Sequence, residues 1–198
     1  MTPGYHEGMT DLTRIPVPNE GPITDKVKEI YERSFPPEEQ IPLSELLRSA
    51  EAPEVSFVAW ADPALPTDEA GATHVVALTF SFAFHDLFYL GFLAVDGRMR
   101  SAGYGSRILT YFAERYASVP QLLEIEPMTR EAANYQQRVR RLAFYERNGF
   151  TVTNMITHEA DQTYRVLTRN GIVTPQRLEE ALNSVTEDPA YASRVTTD

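Results

Sequence analysis

With 198 residues, 42% of them hydrophobic and 23% charged, the chain has the composition of one globular domain, and it holds no apolar run near the roughly 20 residues that a bilayer span needs. A formal net charge of −10 argues against nucleic acid as a partner, because that binding rests on cations that neutralise phosphates. The absence of cysteine excludes disulfides, thiolate zinc sites and acyl-cysteine intermediates, and His6, His74, His85 and His158 show no metal-ligand spacing, so no metal is expected.

In chain order, Leu12 to Val17 reads as a short strand, and a helix follows in which Val27, Ile30 and Tyr31 recur at helical spacing until Pro36 and Pro37 stop it. A short helix over Leu43 to Arg48 and a strand over Val55 to Ala61 come next. Thr73 to Phe84 and Leu87 to Val95 are apolar and β-branched, and the His85-Asp86 connection is short enough for an antiparallel hairpin. Ile108, Leu109, Phe112, Ala113 and Tyr116 form the apolar stripe of a helix ending before Pro120, and Gln121 to Glu126 is the next strand.

A second helix from about Gln136 to Asn148 turns Val139, Leu142 and Ala143 inward and ends at Gly149, a residue that tolerates the left-handed conformation past a helix end. Strands over Thr151 to His158 and Thr163 to Arg169 close a hairpin. Thr174 and Pro175 then open a C-terminal helix that runs to Val185. These elements predict an α+β (mixed α/β) fold, with a central, mostly antiparallel sheet of about six to seven strands flanked by helices. The expected organisation is a single domain over residues 1–187 and a disordered tail over 188–198.

The stretch FLAVDGRMRSAGYGSRILTYF carries the chemistry. It passes from a strand through a basic, glycine-containing turn into a helix. The first N–H groups of a helix have no intrahelical partner, and the macrodipole adds about half a positive charge there, so such a turn cradles a diphosphate. Gly103 and Gly105 allow close approach, Arg98 and Arg100 add cations, and Ser106 adds a hydroxyl. The dinucleotide-binding pattern Gly-x-Gly-x-x-Gly and the Gly-Lys-Ser/Thr of a nucleoside triphosphate loop are both absent.

Arg100-Ser101-Ala102-Gly103-Tyr104-Gly105 resembles the (Arg/Gln)-x-x-Gly-x-(Gly/Ala) signature of the GNAT superfamily of acyl-CoA-dependent N-acyltransferases. Leu93-Ala94-Val95 and RRLAFYERNGF resemble that family's preceding strand and later helix-to-strand segment, and order and spacing agree from about residue 55 to 170. The resemblance implies acetyl-CoA as co-substrate. Main-chain groups of the Leu93-Ala94-Val95 strand would meet the pantetheine arm, with an N–H there for the oxyanion, and the amides of Ser101, Gly103, Gly105 and Ser106 would meet the diphosphate. Arg138 stands where the family often has an asparagine that contacts the cofactor arm. At 100° per residue Arg138, Arg141 and Tyr145 share one helix face within about 60°.

The resemblance also implies that Tyr145 donates a proton to the departing CoA sulfur. An alkyl ammonium is neutral in only about one part in 2,500 at pH 7, so a carboxylate that removes its proton helps. Glu124 and Glu126 are the candidates, expected on one side of their strand because strand side chains alternate. The implied reaction is direct acetyl transfer to a primary amine of a small molecule or peptide. A non-catalytic acyl-CoA sensor is the alternative, and homodimerisation through the aromatic strands is compatible with either. The N-terminal residues lack a secretory pattern, so a cytoplasmic location is expected.

Overall fold

The computed structural model describes residues 11–66, 74–159, 161–185 and 192–198. The strands are β1 (Thr13–Pro16), β2 (Val55–Ala61), β3 (Val75–Ala83), β4 (Phe88–Val95), β5 (Gln121–Ile125), β6 (Thr151–Glu159), β7 (Gln162–Arg169) and β8 (Ser193–Thr197). They form one sheet in the order β1-β2-β3-β4-β5-β7-β6-β8. β4 and β5 are parallel, while β1/β2, β5/β7, β6/β7 and β6/β8 are antiparallel. The helices are α1 (Pro22–Ser34), α2 (Leu43–Ser49), α3 (Tyr104–Arg115), α4 (Tyr135–Arg147) and α5 (Pro175–Ser184). The mixed, largely antiparallel class stands as expected from sequence, with eight strands rather than six or seven.

Contacts divide the chain into two compact units, Met1–Ser81 with Phe92–Ala117, and Phe82–Gly91 with Ser118–Asp198. In the first, α1 begins with Pro22 and ends where Phe35, extended because it precedes Pro36, can no longer be helical. Its buried face is Val27, Ile30 and Tyr31, and that of α3 is Ile108, Leu109 and Phe112. Trp60 of β2 lies edge-on to Tyr111 and Phe112, and its indole N–H donates to the Thr79 hydroxyl at 2.9 Å, which satisfies its one polar atom.

In the second unit Leu122, Leu123, Val166, Leu167, Leu178, Ala181 and Leu182 form the buried core. The Phe84 N–H donates to the Leu87 carbonyl and closes the β3/β4 hairpin. Thr174 caps α5 through the Arg177 N–H, as the sequence predicts. Gly149 takes φ 86° just past α4, also as predicted. The expected inward stripe Val139, Leu142 and Ala143 is only half-buried. The buried residue of α4 is Tyr145, in its last turn.

The expected disorder after Glu187 gives way to strand β8 over Ser193–Thr197, whose Val195 is buried. The segment has only one large apolar residue, so its pairing leaves little hydrophobic signature. Its support is polar and comes from other elements: Asn183 of α5 accepts the Ser193 N–H and donates to the Ser193 carbonyl, and Glu179 accepts the Val195 N–H at 2.7 Å.

Candidate functional site

In the first unit, the turn between β4 and α3 is built on Asp96. This buried carboxylate caps a 3-10 turn over Gly97–Met99 by accepting the Arg98 N–H, and it also accepts from the Lys26 ammonium of α1 at 2.5 Å. Burial pushes the Asp96 carboxyl up, but the Arg98 guanidinium and Lys26 outweigh it and hold the group well below the usual range. Arg98, a sequence candidate for the cradle, spends its guanidinium on Asp96 and Glu29, tying the turn to α1.

Past that anchor Ser101 and Gly103 both adopt left-handed backbone, with φ 71° and 79°. Gly103 is the N-cap of α3 without a side-chain cap, and the first N–H bonded back to it belongs to Arg107. The N–H groups of Tyr104, Gly105 and Ser106 therefore lack intrahelical partners. A Cβ at Gly103 would meet no atom within 4 Å, so this side of the turn is open. Arg100 is exposed and pairs with no carboxylate among the described residues. The Tyr104 side chain turns inward instead, donating to Asp62 at the end of β2 at 2.8 Å. Leu93 and Val95 are half-buried, and Ala94 is buried.

The paired register of β4 with β5 ends at Leu90 and Leu123, although β4 runs on to Val95. From Gly91 onward the main-chain groups on that edge are free of the β5 ladder.

In the second unit, Glu126 lies just beyond β5 rather than within it. Its carboxylate binds the Arg141 guanidinium, accepts from Asn134 at 2.9 Å and lies 3.5 Å from Arg138 Nε. Arg138 also donates to Asn134 Oδ1 and to the Pro127 carbonyl, both at 2.7 Å. Two candidates from the sequence, Glu126 and Arg138, are thus brought together as parts of one ionic clamp between α4 and the loop after β5.

Glu124 is held differently, and the expectation that it shares a side with Glu126 fails because the strand ends between them. Glu124 stands opposite Val166 of β7, and the same face carries Thr157 and Glu159 of β6. Burial first, and then the negative charge of Glu159, push the Glu124 carboxyl up to about 8, against the opposing pull of the neighbouring Thr157 and Tyr89 hydroxyls. Although Glu124 is partly exposed as a residue, its Oε1 is shut off from solvent and has no partner with hydrogen-bond geometry, as is true of Thr157 Oγ1. Tyr89 is itself pushed well above the ordinary phenol by burial, and then by Glu124 and Glu159.

Tyr145 lies on the other face. Its ring is edge-on to Phe150, whose ring lies beneath the Arg169 guanidinium, and Arg169 bonds to Gln121, one strand face away from Glu124. Burial drives the Tyr145 phenol up to about 12, opposed by Arg141. Its hydroxyl has no hydrogen-bond partner among the described residues. Sequence reasoning missed Asp62, Asp96, Tyr89 and Glu159. The available signal was a phenolic or acidic residue within a strand, for Tyr89 and Glu159, and an aspartate directly after an apolar strand, for Asp62 and Asp96.

No protein-family model and no curated protein matches the chain. Solved structures do. A protein of Bacteroides thetaiotaomicron described as a GNAT-family acetyltransferase superposes with a TM-score of 0.59 at 21% identity, over 87% of this chain and 97% of that one. The fold is that of the GNAT acetyltransferases. NAA60 of Arabidopsis thaliana, in complex with a bisubstrate analogue, superposes at TM-score 0.58 and 11% identity, over 80% of this chain and 98% of its own. An aminoglycoside 6′-N-acetyltransferase complexed with coenzyme A does so at 0.54 and 17%, over 82% and 99%. Among the described residues no helix is long and apolar enough to cross a membrane, and no group of three or more His, Asp or Glu could hold a metal ion.

Proposed function

We propose that this chain is an acetyl-CoA-dependent N-acetyltransferase that passes the acetyl group directly to a primary amine of a small molecule or peptide. The observation that carries the reading is the turn before α3, where left-handed Ser101 and Gly103, unmet N–H groups, an open side at Gly103 and the unpaired Arg100 make a cradle for an anionic diphosphate. Coenzyme A bound to an aminoglycoside acetyltransferase of the same fold supports the choice of anion. The main-chain groups of Leu93, Ala94 and Val95, free of the β5 ladder, suit an amide-bearing pantetheine arm.

Acetyl-CoA supplies the acyl thioester when bound. The chain's own residues then divide the proton work. Glu124, with its carboxyl raised to about 8, is the candidate for taking a proton from the ammonium once the pH exceeds that value, whereas Glu126 is committed to Arg141 and Asn134. Tyr145 keeps its proton near neutral pH and its hydroxyl has no competing acceptor among the described residues, as a general acid for a departing thiolate requires. Arg98 and Arg138 hold the surrounding loops, and Tyr104 anchors the start of α3.

The test is release of free CoA from acetyl-CoA over a panel of primary amines, with native protein and Tyr145→Phe. Amine-dependent release that falls about 100-fold or more in the variant, with KM for acetyl-CoA little changed, is the expected result. Cofactor binding without amine-dependent release would make the chain an acyl-CoA sensor.

A further inference from the structure

The face of the sheet that carries Glu124 also carries a second carboxyl, Glu159, near the end of β6. The Ser193 hydroxyl of β8 donates to Glu159 Oε1 at 2.6 Å, and Asn183 of α5 fixes Ser193 through both of its main-chain groups. Neither carboxyl pairs with a lysine or arginine among the described residues, in contrast to Glu126 with its two arginines.

The other polar neighbours cannot supply a positive charge. Tyr89 comes from β4, Tyr164 of β7 pairs with Thr157 of β6, and Thr157 is fully buried with its Oγ1 unpartnered beside Glu124. His158, between Thr157 and Glu159 in sequence, projects from the opposite face to the Thr196 hydroxyl. On α5, Glu179 accepts the Val195 N–H and Arg177 is taken by Asp86. Two like charges sharing a face without a cation cannot both ionise freely, and the one that receives a hydroxyl hydrogen bond is the better anion.

We infer that Glu159, fixed by Ser193 of β8, is a positioning residue that adds to burial in setting whether Glu124 holds a proton, so that the C-terminal strand tunes the base of the proposed transfer. Ser193 favours the ionised form of Glu159 against the burial that raises it, and a negative charge there adds to burial, the larger influence, in favouring the protonated form of Glu124. Burial acts in the same direction on both carboxyls. The catalytic significance rests on the acetyltransferase reading; the electrostatic link between the two carboxyls does not.

The experiment is a titration of side-chain carboxyl carbons in full-length protein labelled with 13C-glutamate, Glu124 being assigned by the signal that Glu124→Gln removes. Native Glu124 is expected to titrate near pH 8. Glu159→Gln should lower that midpoint by about 1 pH unit and Glu159→Asp should retain it, because the charge is what acts. The rising limb of amine-dependent kcat/KM should move to lower pH with it. An unchanged Glu124 midpoint in folded Glu159→Gln overturns the inference. If that variant does not fold, Ser193→Ala decides: a lowered midpoint supports the link and an unchanged one overturns it. A shifted midpoint in a protein that turns over no amine would leave the link standing and sink the acetyltransferase reading alone.

Discussion

Gly103 does two jobs with one missing carbon. Its φ of 79° is left-handed, which costs a residue with a Cβ roughly 1–2 kcal/mol, and the space its Cβ would fill is the open side of the cradle. Gly103→Ala should therefore lower Tm by about 2–8 °C and also reduce the further rise in Tm that millimolar CoA gives the native protein. Differential scanning fluorimetry with and without CoA separates the two effects, and a variant with an undiminished CoA shift would show that no ligand approaches this glycine. Ser101 reaches φ 71° without being glycine, which only a folded turn anchored at Asp96 can enforce. That strain is not visible in the residue type.

β8 is the element that sequence periodicity did not show. Periodicity registers apolar alternation, and SRVTT offers only Val195; what orders the strand is the β6 edge together with Asn183 and Glu179 projecting from α5. Ending the chain before Ser193 should thus be costly out of proportion to five residues. It would expose the unpaired edge of β6 and leave Glu159 without its donor, and Tm is expected to fall by at least about 4 °C with earlier amide exchange in β6. Thermal melts and hydrogen exchange of the shortened chain check this; a Tm equal to that of the full chain would show β8 to be an ornament. By contrast α3 and α5 were legible to within a residue or two of one end, since Pro175, Thr174 and the apolar stripe at Ile108, Leu109 and Phe112 act locally.

At the scale of the whole molecule, the buried carboxyl makes stability depend on pH. Folding raises Glu124 from an ordinary 4.5 to about 8, so between those values the native state holds more protons than the unfolded chain. Its contribution is complete below about pH 4.5 and declines as pH climbs to about 8. Glu124→Gln should accordingly be more stable than the native protein at pH 9, by at least about 2 °C in Tm, with the gap closing towards pH 4. Melts of both proteins across that range test the sign, and a gap that widens on acidification would refute it. The strand-turn-helix at Arg100 to Ser106 and the order of most elements were determined by the sequence alone, because caps, turns and hydrophobic period are properties of neighbours along the chain, whereas the candidacy of Glu124 and Tyr145 rested on the resemblance that the motif carries. Which glutamate is clamped by Arg141 and which is buried beside Glu159, the commitment of Arg98 to Asp96, and the existence of β8 were decided only by tertiary structure. Charge pairing and desolvation depend on residues such as Glu29 and Asp96, or Glu159 and Ser193, that come together only when the chain folds.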